Sequence, residues 1–161
     1  LSLLNTQNKQ SSVYLNMRAC FWMKAFSFNP GSKEYKEFGC PSEMRPYLLA
    51  ILNSNLFFLY WTIVSDCWHI TNKELSEFFV PTDGVCLDIF RILTSKLERK
   101  LERTKKYIGS VQTQYEYKHR ECKPEIDAID DALQEIYGLT DDEVAFLKEY
   151  KLKYRMSNGT I

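Results

Sequence analysis

The stretch LLAILNSNLFFLYWTIVSDCWHITNKELSEFFVP, residues 48–81, determines how the rest of the chain is organised. Asn53, Ser54 and Asn55 interrupt its apolar run with side chains that compete for backbone hydrogen bonds. The run therefore predicts a first helix that ends near Asn53 and a second helix capped by Ser54. The apolar residues recur at the i, i+3, i+4 spacing of one buried helical face, and they are Leu48, Leu49, Leu52, Leu56, Leu59, Tyr60 and Ile63.

A compact polar cluster follows these helices and holds the best candidates for a functional surface. It consists of Ser65, Asp66, Cys67, Trp68 and His69, followed by Thr71, Asn72, Lys73 and Glu74. Thr71 and Glu74 have the spacing of a capping box, in which each residue binds the backbone N–H of the other. Capping by Thr71 does not exclude contacts from Asn72 or Lys73 to a ligand.

The N-terminal third of the chain predicts a small sheet. Residues 11–28 alternate apolar and polar side chains and are rich in aromatics, which favours one bent strand or a hairpin. Residues 29–32, Asn-Pro-Gly-Ser, are typical of a turn. Residues 35–38 predict a short strand that pairs back, and Ser42 is expected to cap the helix that Pro46 enters.

The second half of the chain predicts helices. Residues 84–108 form a long amphipathic pattern whose polar face is basic. Pro124 and Gly138 bracket a helix over residues 124–137, and a capping box at Thr140 opens a helix over residues 141–151. The apolar stripe of the long helix comprises Leu87, Phe90, Leu93, Leu97, Leu101 and Ile108, and the cations opposite are Lys96, Arg99, Lys100, Arg103, Lys105 and Lys106.

These elements predict an α+β fold. We expect a small mixed or antiparallel sheet packed with helices, plus long C-terminal helices that could form an αα-hairpin. The expected organisation is an α/β region over residues 1–83 and a helical region over residues 84–161, together one structural unit. The chain begins at Leu1 rather than Met, which suggests a piece of a longer protein.

Composition places limits on the partner and the compartment. The 161 residues include 21 basic and 21 acidic side chains, so no overall field favours nucleic acid, and a DNA-binding surface would need local segregation of charge. The 5 cysteines are odd in number and widely spaced, without the pairing of a zinc site. A reduced cytoplasmic chain is the simplest interpretation, and no apolar run predicts a membrane span.

Two segments carry a resemblance to a known family. The first is LLAILNS, an aromatic run and SDCWHITNKELSEFFVP within residues 48–81, and the second is CKPEIDAIDDALQEIYGLTDDEVAFLKEYKLKYRM, residues 122–156. Both resemble, in the same order, the C-terminal specificity region of large bacterial adenine-N6 DNA methyltransferases, including type IIG restriction-modification enzymes. The resemblance implies that residues 1–83 are like a target-recognition region and that the chain positions double-stranded DNA for methylation.

The catalytic signatures of that family are missing from this chain. A methyltransferase needs a Gly-rich turn for S-adenosylmethionine and an Asn/Asp-Pro-Pro-aromatic motif for the flipped adenine. Asn29-Pro30 is followed by Gly31-Ser32, and the 6 glycines are scattered. We therefore expect no enzyme activity and no cofactor in this chain, with S-adenosylmethionine bound by a catalytic domain elsewhere in the same parent protein.

The DNA-binding candidates follow from side-chain chemistry. Asn pairs with adenine, Lys and Arg pair with guanine, and Ser, Thr or His can reach base edges or phosphates. The candidates are Ser65, Trp68, His69, Asn72 and Lys73 in the polar cluster, with Arg18 and Lys24 on the predicted strands as a second group. A structural role competes with contact for Trp68 and His69, and solvated surface competes for Arg18, Lys24 and the basic face of the long helix.

Two other interpretations remain beside DNA recognition. Cys67 and His69 could share a face as nucleophile and base, but no third group orients them, and Cys67 is better explained as a small buried hydrophobe. The chain could also be a helical protein-interaction or dimerisation module without DNA contact. A specificity domain should show a concave basic face near His69 and Lys73, whereas an interaction module should expose Leu93, Leu97 and Leu101.

Overall fold

The structure, a computed structural model, describes residues 1–5 and 10–157. Residues 6–9 lie outside it, as do residues 158–161, the last four of the predicted helical region. The described chain is α+β, as predicted, with two small antiparallel sheets and seven α-helices among those residues.

The first sheet has three antiparallel strands in the order β2-β1-β3. They are β1 (Ser11–Asn16), β2 (Ala25–Phe26) and β3 (Tyr35–Cys40). The pattern of residues 11–28 is thus a hairpin rather than one bent strand. The predicted turn is confirmed by the positive φ of Gly31, 73°, and by the Asn29 side chain, which accepts from the Gly31 N–H at 2.9 Å.

The apolar run breaks where predicted, between α1 (Arg45–Asn53) and α2 (Asn55–Val64). Ser54 caps α2 by accepting from the Phe57 N–H at 3.0 Å. The chain bends by 61° between the two helices. The Asn53 amide donates to the carbonyl of Ala25 at 2.9 Å and accepts from its N–H at 3.1 Å, so it binds the edge strand β2. Among the described residues no single helix has the length and hydropathy needed to cross a membrane. Helices α1 and α2 meet both criteria only when they are counted together as one bent pair.

Two local expectations for this region are wrong. Ser42 does not cap α1, because the helix begins after Met44 and the Ser42 hydroxyl donates to the Gln10 carbonyl instead. In α2 the buried side chains include Phe57, Phe58 and Trp61, whereas Ile63 is 70% exposed. Helix α2 carries apolar side chains on all its faces. Periodicity alone could therefore not identify the face that the bend between α1 and α2 turns toward the core.

The remaining elements wrap the sheet and these helices. They are α3 (Asn72–Glu77), α4 (Leu87–Thr104), β4 (Lys106–Tyr107), β5 (Tyr115–Glu116), a 3-10 helix (His119–Cys122), α5 (Lys123–Tyr137), α6 (Asp141–Glu149) and α7 (Leu152–Met156). The capping boxes at Thr71 and Thr140 and the left-handed Gly138 after α5 are confirmed. The long helix is shorter than predicted, because Lys106 and Tyr107 leave it to pair with Glu116 and Tyr115.

One hydrophobic core joins the two predicted regions. It includes Phe26 from the sheet, Phe57 from α2, Leu97 from α4 and Leu133 from α5, each at most 1% exposed. Helix α4 packs against α1 and α5, so the face that carries Leu97 and Leu101 lies inside the molecule. The N-terminal sheet and the C-terminal helices therefore bury apolar area against one another.

Candidate nucleic-acid interface

The loop after α2 is held by its own backbone hydrogen bonds. The Asp66 carboxylate accepts from the N–H groups of Trp68, at 2.9 Å, and His69, at 3.2 Å. The Ser65 hydroxyl accepts from the Cys67 N–H at 3.0 Å. The N–H groups of Trp68 and then His69 lower the pKa of the exposed Asp66 carboxyl below its usual range, so the loop keeps a charged acceptor at neutral pH.

The end of this loop is docked on the core. The Trp61 indole N–H donates to the His69 carbonyl at 3.1 Å, and the Ile70 N–H donates to the Met17 carbonyl, just beyond β1, at 2.9 Å. Ile70 itself is buried. These contacts bind the main chain, whereas the side chains of Trp68 and His69 lie in solvent, Trp68 with 58% of its surface exposed.

Arg18 joins the loop from the connection that follows β1. Its guanidinium carbon lies 5.7 Å from the centre of a Trp68 ring, within the range of a cation–π contact. The guanidinium also lies 3.4 Å from the Glu34 carboxylate, and 54% of the Arg18 side chain remains exposed. The structure therefore brings two predicted candidates, Arg18 and Trp68, onto one surface.

Asn72 and Lys73 occupy the first turn of α3 beside this loop. Thr71 caps the helix, its hydroxyl accepting from the Lys73 N–H at 3.2 Å, while the Glu74 carboxylate accepts from the Thr71 N–H at 2.7 Å. Glu74 is buried, whereas Asn72 and Lys73 are exposed. The cap thus uses the residues on either side of the two candidates and leaves their side chains at the surface.

Cys67 departs from its predicted role as a buried hydrophobe. It is exposed, with a φ of 59°, because the turn closed by Asp66 requires a left-handed residue at this position. Its thiol lies 3.5 Å from the Thr62 carbonyl, which is its hydrogen-bond acceptor. The imidazole of His69 is not that partner, and the geometry gives no support to a nucleophile-and-base pair.

Lys24 lies at a different place from the loop candidates. It lines a cavity together with His119 and Arg155, two buried residues that are not among the predicted site residues. The only sequence signal for His119 was a histidine within an otherwise polar segment. Arg155 belongs to the Lys-Tyr-Arg-Met tail, whose periodicity does not reveal which side chain is buried.

The basic face of α4 is partly neutralised. Lys100 pairs with Glu125 at 2.7 Å and Lys105 with Glu102 at 2.7 Å. Glu98, on the same helix, accepts from the Ser27 N–H at 2.6 Å. This pairing interrupts the basic face, while Lys96, Arg99 and Arg103 line a small cavity with Lys100 and Glu125.

The shape of the surface differs from the expected one. A concave basic face was expected near His69 and Lys73, but the cavities rich in cations lie elsewhere. One is lined by Lys24, and another lies along α4 and is lined by Lys96, Arg99, Lys100 and Arg103. The cavity lined by Asn72 has a volume of about 400 Å³, and Lys36 is the one cationic side chain in its lining. In the part of the chain that the structure describes, no group of three or more His, Cys, Asp or Glu side chains could hold a metal ion.

Comparisons of this chain with protein-family models, with curated proteins and with solved structures find no match. Support for a function therefore comes from the geometry of residues 65–73 and Arg18. It also comes from residues 48–81 and 122–156, the two segments that resemble a known family.

Proposed function

We propose that this chain recognises target DNA for a larger adenine-specific DNA methyltransferase of a restriction-modification system. The observation that carries the proposal is the exposure of Trp68, His69, Asn72 and Lys73 on one firmly bonded loop and helix entry, with Arg18 beside Trp68. A catalytic domain of the same parent protein would bind S-adenosylmethionine and methylate the adenine. This chain would hold the duplex in register.

The main chain of the 65–73 segment supports this role. Its backbone groups are satisfied by Ser65, Asp66 and Glu74, and its end is attached to Met17 and Trp61. A recognition surface requires side chains held on a rigid support, because imprecise placement weakens directional hydrogen bonds to bases. The exposed Asn72 and Lys73 side chains lie on such a support.

The side chains offer complementary contacts. The Asn72 amide can pair with an adenine edge, and the Lys73 ammonium with a guanine edge or a phosphate. Trp68 presents an aromatic face, and Arg18 beside it adds a cation at the same surface. Ser65 is the weakest candidate, since its hydroxyl already accepts from the Cys67 N–H.

The alternative, a helical interaction module, depended on an exposed stripe along α4. Leu97 and Leu101 are 1% and 0% exposed and Leu93 is half-buried, because α4 packs against α1 and α5. The surface expected for a partner helix is therefore occupied by the protein's own core.

The test uses the double variant Asn72→Ala, Lys73→Ala in the full-length parent protein. Methylation rates are measured on a cognate duplex and on duplexes with one mismatched base pair, the target first being identified by sequencing modified adenines. A base-contacting pair contributes about 1 to 3 kcal/mol of discrimination, so selectivity should fall by roughly tenfold or more. Lys96→Ala, which removes an exposed cation from α4, serves as the control and should leave both rates unchanged.

An unaltered rate and unaltered selectivity in the double variant would exclude Asn72 and Lys73 from the recognition surface and would leave Arg18 and Lys24, at their separate places, as the candidates to test next. Absence of methylation and of salt-dependent duplex binding in the parent protein would refute the proposed function itself.

A further inference from the structure

A basic cavity of about 510 Å³ lies between the β1–β2 connection, the second sheet and α7. Five cations line it, Lys24, Lys106, Lys118, Arg120 and Arg155, against one carboxylate, that of Glu116, and Lys118 also pairs with Glu121 at 3.4 Å. The whole chain carries 21 basic and 21 acidic side chains, so this lining is a marked local excess of positive charge. Such segregation is what a neutral protein needs in order to attract an anion.

Arg155 is one of the residues that line the basic cavity, and its guanidinium group is fixed by contacts with three neighbours. Its guanidinium carbon lies 4.0 Å from the Trp22 ring centre and 4.3 Å from that of Phe58, and its Nε donates to the Phe21 carbonyl at 2.8 Å. The residue is 3% exposed. Its orientation is therefore fixed before any ligand arrives.

One end of this guanidinium is left without a partner. Arg155 Nη1 is buried and has no hydrogen-bond acceptor among residues 1–5 and 10–157. Asp130 and Asp127 attract the guanidinium only at longer range, and burial lowers the pKa of Arg155 to about 10, which still leaves it charged at neutral pH. A buried, unpaired N–H on a charged group is costly, so an acceptor that enters the cavity would relieve that cost.

His119 provides a second unpartnered polar atom at the same cavity. Its ring is 2% exposed, Nδ1 lies 3.3 Å from the Tyr117 carbonyl, and Nε2 has no partner within the described residues. Burial, and then the nearby charge of Lys24, lower the pKa of His119 to about 3, which keeps the ring neutral. With Nδ1 donating to the carbonyl, Nε2 is an acceptor, which suits the hydroxyl of a protonated inorganic phosphate or phosphate monoester.

A purely structural role explains only part of this arrangement. The Trp22 indole donates to the Arg155 carbonyl at 3.2 Å, so Arg155 anchors α7 to the β1–β2 connection. Anchoring accounts for the ring contacts and for Nε. It does not account for Nη1, for His119 Nε2 or for the cations gathered around them.

We propose that the basic cavity binds a phosphate group, with Arg155 as the central donor and Lys24 and Lys106 as the surrounding cations. A planar guanidinium suits this ligand because its paired N–H groups match two phosphate oxygens. The same chemistry is offered by a nucleic-acid backbone and by a free phosphate monoester. The assignment does not depend on the proposed recognition of DNA by residues 65–73.

The test is a titration of the whole chain with inorganic phosphate at constant ionic strength, followed by the NMR signals of the Trp22 indole and Arg155 Nε–H groups. We expect saturable shifts at both. Arg155→Lys keeps the charge but loses the fork and should weaken binding by roughly tenfold or more. Lys106→Gln should weaken it by a smaller factor, whereas Lys153→Gln, which removes an exposed cation of α7 outside the cavity lining, should leave it unchanged.

The proposal is overturned if the wild-type signals do not saturate, or if Lys153→Gln weakens binding as much as Lys106→Gln does. Folded Arg155→Lys with wild-type affinity would also overturn it. Should Arg155→Lys fail to fold, the double variant Lys24→Gln, Lys106→Gln decides, and wild-type affinity in that variant would equally refute the site.

A competition arm identifies the source of the phosphate. Displacement of bound phosphate by duplex DNA assigns the site to a nucleic-acid backbone, and retention of phosphate beside duplex assigns it to a free monoester. The Asn72→Ala, Lys73→Ala variant should bind inorganic phosphate normally in either case. Failure of the proposed DNA function is thereby distinguished from failure of the phosphate site.

Discussion

Asp130 lies on the buried side of α5 and caps a helix to which it is not adjacent in sequence. One carboxylate oxygen accepts from the Asn55 side chain at 2.6 Å and from its N–H at 3.3 Å, and the other accepts from the Leu56 N–H at 3.2 Å. These N–H groups start α2, where no helical carbonyl can accept from them. Asp130 thus completes the cap that Ser54 begins.

Replacement of Asp130 by Ala should destabilise the fold strongly. It leaves buried donors of Asn55 and Leu56 without an acceptor, at a cost of about 1 to 3 kcal/mol for each group left unsatisfied. Asp131→Ala is the matched control, since its neighbouring carboxylate is 56% exposed and pairs with Lys148 at the surface. That change should cost less than about 1 kcal/mol. Equal shifts of the urea midpoint for the two variants would contradict this role for Asp130.

The same carboxyl predicts a dependence of stability on pH. Burial raises the pKa of Asp130 to about 7, against an ordinary value of 3.8. Between these pH values the folded protein holds a proton on Asp130 that the unfolded chain has released, so the contribution of Asp130 to the free energy of unfolding should fall as pH rises from about 4 to about 7. This contribution should level off above the folded pKa.

Urea unfolding of wild type and Asp130→Asn across this range checks the sign. The amide cannot titrate, so the stability of wild type minus that of Asp130→Asn should fall as pH rises across this range. Groups whose pKa values are lowered contribute with the opposite sign in both proteins and cancel, and they include His119, Asp66, Glu74 and Glu143. A constant difference across the range would show that Asp130 is already ionised near pH 4.

Leu133 confirms the predicted buried stripe of α5, being 0% exposed. Leu133→Ala removes a core side chain and leaves a cavity, which should cost roughly 2 to 5 kcal/mol in chemical denaturation. Asp131→Ala again provides the comparison. A cost for Leu133→Ala as small as that of Asp131→Ala would place the wrong face of α5 in the core.

At the start of helix α3, residues that stabilise the fold lie next to residues that are proposed to contact DNA. Thr71 and Glu74 make the capping box, while Asn72 and Lys73 between them are exposed. Thr71→Ala should therefore destabilise the protein by about 1 kcal/mol through loss of the cap. Asn72→Ala, Lys73→Ala should leave the thermal midpoint nearly unchanged. A double variant that melts as early as Thr71→Ala would mean that these side chains support the fold.

Several helix boundaries follow local chemistry, but the ends of α4 and α6 do not, since the helix predicted over residues 141–151 ends at Glu149. Ser54, Thr140 and Gly138 carry signals that act within a few residues, and the structure follows each of them. In α4 the polar pattern continues past Thr104, but the chain leaves the helix to form β4 with β5. The end of α4 therefore depends on pairing between β4 and β5, which the helical periodicity of residues 84–108 cannot predict.

At the scale of the whole molecule, we predict that this chain does not itself transfer methyl groups to DNA. The Asn29-Pro30 turn is not the adenine-holding motif, and no Gly-rich cofactor turn is present in the sequence. Incubation of the purified chain with duplex DNA and labelled S-adenosylmethionine should therefore transfer no methyl group. Turnover that persists after repurification, and that an unrelated protein purified in parallel lacks, would contradict this expectation.

Local sequence signals were sufficient for the α+β class, the α1–α2 break, both capping boxes and the exposure of Asn72 and Lys73 beside the Thr71 cap. Those features depend on caps, turns and periodicity, which act between neighbours along the chain. The inward face of α2, the cap from Asp130 and the cavity at His119 and Arg155 depend on contacts across the molecule. Asp130 reaches Asn55 over 75 residues and Arg155 reaches Phe21 over 134, so their burial follows from packing that no local window of sequence contains.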